Sequence, residues 1–435
     1  MEYSAGDRIR ITTEKETLEG TLMPTPELQE KKVVIIKLNN GYNIGIANNK
    51  IKKIELIKKY KVKKSNKEKA STKKGLPTIS ILHTGGTIAS KVDYQTGGVI
   101  ARFTPKEILG QFPELVSIAN IKSRLVRNMF SEDMRFAHYN LIAEEIKKEI
   151  GGGTKGIIIT HGTDTLHYSS AALAFILEGL SIPIVLVGAQ RSSDRGSSDA
   201  GMNLVCAAKF IANTDFAEVA ICMHSSMSDD FCYILPATKS RKLHTSRRDA
   251  FQPINDKPWA KVYYDDRQIS FINNKYNKRN SKKLKLKLVN PDLKVGILRA
   301  HPNMSAEEVK FYSGFDGLVL EGTGLGQFPV SEIDKYTKEH TEILSAIKKL
   351  IDTGTIVVMA PQTIFGRIQM NVYASGRELL NVGVLGNYSD MTTETTFIKL
   401  AWLLSNYPKE KVKMLIGKNL RGEINSRIEP EMFLD

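Results

Sequence analysis

Cysteine is scarce in this chain. There are three in 435 residues, Cys206, Cys222 and Cys232, and no two form a C-x-x-C pair. An odd, unpaired set argues against a disulfide framework and for a reducing, cytoplasmic setting. Long apolar runs are also missing. The longest, residues 171–189, is interrupted by Glu178, Gly179 and Pro183, so it reads as helix, turn and strand and not as a membrane span. Residues 1–7 offer neither a basic start nor an apolar core, which argues against a secretion signal. The eight His show no ligand spacing such as H-E-x-x-H, and no metal is expected. Phosphate-binding loops fare no better, because the turn at Gly85-Gly86 lacks a Gly-Lys-Ser/Thr ending. Gly322-Thr323-Gly324-Leu325-Gly326-Gln327 has Gln where the third glycine of a dinucleotide fingerprint belongs, and is expected to be a loop at a site's edge.

What is present begins with charge. The net charge is +15, and it is uneven. Residues 58–74 hold nine Lys against only Glu68, a local +8. Such a run is a solvated linker that also favours polyanions such as nucleic acid. A second basic run, ending Lys285-Leu286-Lys287-Leu288, suits an edge strand with a wet lysine face. The length allows about two or three domains. Residues 1–57 read as a small β-barrel module of five short strands, with Asn40-Gly41 as a hairpin turn. Residues 58–77 are the basic linker. From residue 78 strands alternate with helices, which implies βαβ units and a parallel sheet, first over 78–290 and again over a smaller α/β domain, 291–435.

Several strand ends carry more polarity than helix capping needs. Thr78-Ile79-Ser80-Ile81-Leu82 runs into His83-Thr84-Gly85-Gly86-Thr87-Ile88-Ala89. The polar, glycine-rich residues 89–99, with Tyr94, suit a lid. Arg124-Leu125-Val126-Arg127 leads to Ser131-Glu132-Asp133, a stretch that by itself reads as a helix start with acids in its first turn. The β-branched run Gly156-Ile157-Ile158-Ile159 empties into Thr160-His161-Gly162-Thr163-Asp164-Thr165, and Pro183-Ile184-Val185-Leu186-Val187 into the polar loop from Gly188 to Asp199. In open α/β sheets, ligands bind beyond the carboxyl ends of strands. A hydroxyl beside a carboxylate there has the chemistry to act on a polar substrate. Capping by Thr163 or Asp164 is the bland alternative.

Thr84-Gly85-Gly86-Thr87-Ile88-Ala89 and His161-Gly162-Thr163-Asp164-Thr165 together resemble the L-asparaginase/glutaminase family, as do Gly188-Ala189-Gln190-Arg191 and Tyr373-Ala374-Ser375-Gly376-Arg377-Glu378-Leu379-Leu380. The likeness covers residues 78–435 and implies a two-domain asparaginase-like fold. With the extra β-module, the basic linker, Thr165-Leu166-His167-Tyr168 and the Gln190 to Arg195 segment, the whole chain is similar to the D-type subunits of archaeal-type glutamyl-tRNA(Gln) amidotransferases. That resemblance implies hydrolysis of glutamine and delivery of ammonia to a larger, E-type partner, which amidates Glu-tRNA(Gln). ATP and Mg would belong to the partner, with no cofactor in this chain. A homodimer at the core of a heterotetramer is implied as well.

By resemblance, Thr87 and Tyr94 form one catalytic pair, and Thr163, Asp164 and Lys242 the second group. Lys242 lies in Ser240-Arg241-Lys242-Leu243-His244-Thr245 and is matched by its spacing to Phe251. Thr87 is expected to be the nucleophile, since a threonine hydroxyl attacks an amide once a neighbour takes its proton. Thr163 would assist. A lysine serves as base only when neutral, which burial favours and an adjacent carboxylate opposes. Backbone N–H groups at Gly86-Thr87 and Gly162-Thr163 are candidates for an oxyanion site. The resemblance also gives Asp164 to the substrate ammonium and Ser131 to its carboxylate, while Glu132 stands where some members carry Gln. A stand-alone asparaginase and a non-catalytic tRNA-binding scaffold are the competing expectations.

Overall fold

The structure, a computed structural model, describes residues 3–23, 33–38, 43–59, 73–86, 90–92, 99–101, 105–191, 198–266 and 268–433. The expected Asn40-Gly41 turn, most of the basic linker and most of the lid segment lie outside them.

Five strands open the chain: β1 (Arg8–Thr13), β2 (Thr17–Leu22), β3 (Val33–Lys37), β4 (Asn43–Ala47) and β5 (Ile51–Lys58). They form one antiparallel sheet in the order β4-β3-β2-β1-β5. β4 and β5 share no ladder among the described residues, so the expected barrel is partly open. Alternation of Ile with polar residues puts Ile9, Ile11, Ile36 and Ile46 inward as a four-residue core.

The next unit holds β6 (Thr78–Gly85), the short β7 (Ser90–Val92) and β8 (Val99–Ala101), α1 (Pro105–Gln111), β9 (Asn120–Met129), α2 (Phe136–Gly151), β10 (Gly156–Thr160), α3 (Leu166–Ile176), β11 (Leu177–Glu178), β12 (Ile184–Val187), α4 (Ala200–Asn213) and β13 (Val219–His224). Then come β14 (Phe231–Pro236), β15 (Ser240–Lys242), β16 (Phe251–Pro253), β17 (Ala260–Tyr263), β18 (Ile269–Phe271) and β19 (Lys285–Leu286). Eight of these strands make one sheet, ordered β18-β17-β14-β13-β12-β10-β6-β9. It is parallel from β9 to β13 and antiparallel beyond.

β10 shows why its apolar run is unbroken. Ile157 and Ile159 bury against α2 and α3, while Ile158 faces the other way, into the core built with α1 and α4. A strand covered on both faces has no wet side to code for. The anticipated lysine-rich edge strand is real but only two residues long, β19 pairing with β11.

The last unit carries β20 (Val295–Arg299), α5 (Ala306–Lys310), β21 (Gly317–Gly322), α6 (Glu339–Asp352), β22 (Ile356–Pro361), α7 (Ala374–Asn381), α8 (Thr393–Asn406) and α9 (Lys409–Leu415). Its three strands are parallel. The two α/β units share a core, because α8 packs on α3, with the Phe175 and Trp402 rings 5.3 Å apart. Polar ties reinforce it. Lys239, fully buried, donates to the carboxylate of Asp390 at 2.7 Å and to its carbonyl at 2.9 Å. Lys399 and Glu423 make a second fully buried pair at 2.6 Å.

Candidate active site

Four strand ends converge on one cavity of about 460 Å³, lined by residues that include Gly86, Ser131, Glu132, Thr163, Asp164, Gln190 and Lys242. The convergence is built by buried polar side chains that tie adjacent strands. His83, in β6, contacts the Thr160 hydroxyl of β10 at 2.8 Å and the Ser123 hydroxyl of β9 at 2.9 Å. Thr84 donates to the Thr160 carbonyl at 2.9 Å. His161 is fully buried, with one ring nitrogen 2.7 Å from the Gly162 carbonyl and the other 2.8 Å from the Ser169 hydroxyl. Burial pushes both histidines down to about 4, so they are neutral struts near neutral pH.

Glycine is demanded where the loops meet. At Gly86 (φ 79°) an added Cβ would come within 2.6 Å of the Gly162 nitrogen, and at Gly162 it would fall 2.8 Å from the Ser131 side chain. Any larger residue at either position would force the β6, β9 and β10 loops apart. Thr165 fastens the same junction by donating to the Ser131 carbonyl at 2.5 Å.

A threonine, an aspartate and a lysine cluster at the β10 end. Lys242 Nζ is 2.9 Å from Thr163 Oγ1 and 2.8 Å from Asp164 Oδ1. The lysine side chain is 11% exposed and the aspartate 66%, so the ammonium is largely enclosed while its counter-charge reaches solvent. Thr163 is buried. Neither Thr163 nor Asp164 caps α3: the N-cap is Thr165, and its side chain makes no cap bond. The loop's polar side chains are therefore not helix caps.

Lys242 is delivered from far away in the chain. Its three-residue strand β15 pairs with β16, opposite Phe251. The segment before it is stitched to α8 of the last unit and to the residues leading into it: Thr395 donates to the Thr238 carbonyl at 2.9 Å, Lys239 holds Asp390, and Arg241 binds Glu394 at 2.9 Å. The role of Arg241 and Glu394 was not legible from the sequence, since the two lie about 150 positions apart and share no motif. His167, the second residue of α3, sits 3.9 Å from the same glutamate and is pushed down to about 3, first by burial and then by Arg241 and Lys242.

Of the other expected site residues, Ser131 is buried and Glu132 exposed, and both line the cavity. They sit on a single 3-10 turn, Ser131–Asp133, between β9 and α2, and no side chain there caps a helix. Thr87 and Tyr94 lie outside the described residues. Gly322–Gln327 forms a turn closed by a Thr323–Gln327 bridge and does not border this cavity, contrary to the expectation of a site-edge loop. Asp133, Thr245, Asn128, Met129 and Phe130 also line it. Only Asp133 had carried a sequence signal.

No group of three His, Cys, Asp or Glu among the described residues is placed to hold a metal, and the three cysteines are buried and unpaired. No helix among the described residues is long and apolar enough to cross a membrane.

Known proteins resemble this chain in sequence and in fold. Residues 78–277 match the family described as Asparaginase, N-terminal, residues 294–414 the Glutaminase/Asparaginase C-terminal domain, and residues 3–57 the GatD N-terminal domain. The L-asparaginase of Thermococcus kodakarensis superposes with a TM-score of 0.69 at 28% identity, over 80% of this chain and all of that one. L-asparaginase I of Vibrio cholerae gives 0.69 at 29%, over 81% of this chain and 100% of that one. Both leave about a fifth of this chain unmatched. Relatives that match nearly its whole length are the D-type subunits of glutamyl-tRNA(Gln) amidotransferases. That of Pyrococcus furiosus is 46% identical over 99% of this chain and 97% of its own, and that of Methanococcus maripaludis 41% over 98% and 99%. An asparaginase-like core preceded by a GatD N-terminal domain, with 41–46% identity to these relatives over nearly the full length, places the chain in the family of glutamyl-tRNA(Gln) amidotransferase D-type subunits.

Proposed function

We propose that this chain is the glutaminase component of a tRNA-dependent amidotransferase. It hydrolyses the side-chain amide of glutamine and supplies ammonia to a larger partner that converts Glu-tRNA(Gln) to Gln-tRNA(Gln). The observation that carries the reading is Lys242 Nζ held between the Thr163 hydroxyl and the Asp164 carboxylate in a cavity at the carboxyl ends of a parallel sheet.

Thr87 is the nucleophile in this scheme. Its hydroxyl adds to the substrate carbonyl, its proton leaves through the polar group around Lys242, and the amide nitrogen departs protonated as ammonia. Water then cleaves the resulting ester, giving glutamate and restoring the hydroxyl. Thr163, Lys242 and Asp164 act as one proton-handling unit, with Lys242 able to accept from Thr163 only in its neutral form. Asp164 faces the substrate ammonium and Ser131 its carboxylate. Glu132 adds negative charge at the ammonium end, and Tyr94 closes on the substrate.

The larger partner is of the E type and holds ATP and Mg, with no cofactor in this chain. The complex is a heterotetramer around a homodimer of this chain, working in the cytoplasm. The test is ammonia release from glutamine and from asparagine, each with and without the larger partner and Glu-tRNA(Gln). Weak glutamine hydrolysis by the chain alone, strongly stimulated by partner and tRNA, is expected. Efficient asparagine hydrolysis without a partner would instead establish a stand-alone asparaginase. A Thr87→Ala chain with unchanged ammonia release and tRNA amidation would leave only a scaffold.

A further inference from the structure

Lys242 reaches Thr163 from a slight support. β15 and β16 are three residues each and form a sheet of two, with no ladder to a third strand among the described residues. So short a hairpin is marginal by itself, and its place in the molecule comes from side chains.

Neighbouring residues of a strand point to opposite faces. Lys242 turns toward Thr163 and Asp164, while Arg241 turns toward α8 and pairs with Glu394, Nε to Oε1, at 2.9 Å. The other ties of this segment to the last unit, at Thr238 and Lys239, act farther back along the chain. The Arg241 pair acts at the residue beside the lysine. On the partner strand Phe251, opposite Lys242, lies edge-on to His167 with ring centroids 6.3 Å apart. That histidine belongs to α3, the helix that starts just after the Thr163-Asp164 loop.

Glu394 is a firm anchor. It is buried in the first turn of α8, where the Thr392 hydroxyl caps the helix by accepting from the N–H of Thr395 at 3.2 Å. A carboxylate is favoured at such a helix start. Its Oε2 is enclosed with no hydrogen-bond partner among the described residues, and His167 is kept neutral chiefly by burial. Arg241 is therefore the counter-charge of this carboxylate. A buried charge left alone is strongly unfavourable, so Glu394 holds Arg241 in place.

We propose that Arg241 and Glu394 are positioning residues, whose ion pair fixes the strand so that Lys242 Nζ sits between Thr163 and Asp164. The inference rests on the glutaminase reading and on the part it gives Lys242 in moving protons. Neither Arg241 nor Glu394 borders the cavity, so their effect falls on kcat and not on KM. A misplacement of about 1 Å at a reacting group costs about 10²-fold in rate.

The test compares Arg241→Met, Glu394→Leu and the double variant, each as the full chain with its larger partner, on glutamine and below its Tm. Arg241→Met strands the buried carboxylate and is expected to lower both Tm and kcat. The double variant removes both charges, and its Tm is expected to return toward that of the unmodified protein, since apolar replacement of a buried pair is often neutral or stabilising. Its kcat should stay about 10²-fold low with KM changed by no more than about threefold. Asp390→Asn, which weakens the Lys239 tie, is the control for general loosening and is expected to lower Tm with kcat unchanged. Recovery of kcat in the double variant, unchanged kcat in all three, or an equal fall of kcat in Asp390→Asn overturns the proposal. Failure of the unmodified protein to release ammonia from glutamine, or full activity of Lys242→Met, overturns the functional reading instead.

Discussion

Two sets of parallel strands, one within a mixed sheet, occur in this molecule, yet their carboxyl ends differ. At the ends of β6, β9, β10 and β12, polar side chains surround a cavity, and Gln190 leaves a buried donor unpaired. At the ends of β21 and β22, polar groups bind one another. Thr393 donates to Glu321 at 3.0 Å and to the Pro361 carbonyl at 3.2 Å, and Gln362 donates to the Ala300 carbonyl at 2.7 Å. The same strand-helix architecture thus opens a polar cavity at one set of strand ends and builds a hydrogen-bonded joint at the other, where Gln327 Nε2, Gln369 Oε1 and Glu394 Oε2 are nonetheless buried without a partner among the described residues. Through α8 the second sheet helps to hold the strand that brings Lys242 to the first.

The sharpest way to break this comparison is to exchange one strand-end residue in each sheet. Lys242→Met is expected to lower glutamine turnover by about 10³-fold or more, whereas Gln362→Met should leave turnover unchanged and cost about 1 kcal/mol of stability. Parallel ammonia-release and urea-unfolding measurements check both. Equal losses of turnover would show that the second sheet's ends are also chemical. Next in size is the joint itself. Asp390→Ala strands a fully buried lysine, and urea unfolding should report a loss of about 3–5 kcal/mol. Burial already pulls Lys239 below the usual lysine range, against the opposing pull of Asp390.

Acid tests the struts. His83, His161 and His167 are depressed to about 4, 4 and 3, chiefly by burial, and all three lie in the first α/β unit. Below the unfolded-chain value of about 6.5 the unfolded state binds protons that the native state refuses. Their contribution is complete above that pH and is lost as pH falls toward 4, by about 1.4 kcal/mol per pH unit for each histidine. Urea midpoints at pH 7, 6 and 5 should decline accordingly, and a flat profile would remove the neutral-strut account. Smallest is Ser131→Ala, expected to raise KM for glutamine about 10-fold with little change in kcat, as for loss of one hydrogen bond to a charged group.

Much of the first sheet was legible because its signals are local. Ile157 to Ile159 followed by small polar residues declares a buried strand ending at a site, and Gly85-Gly86 declares a turn needing close backbone approach. By itself Ser131-Glu132-Asp133 reads as a helix start, and it forms a single 3-10 turn beside the cavity, because acids beside a serine have the same composition whether they cap a helix or line a cavity. The reading of Gly322–Gln327 as a site-edge loop failed for a similar reason, since a glycine-rich turn does not encode which face of the molecule it occupies.

What the residue order determined by itself was the kind of each element and the chemistry at each strand end, since both depend on side-chain alternation and composition over a few positions. Only the tertiary structure decided that Lys242 meets Thr163 across 79 positions, and that Lys239 meets Asp390 across 151. Those meetings depend on loop closure and burial of the shared core, which act through three-dimensional distance and leave no periodic mark along the chain.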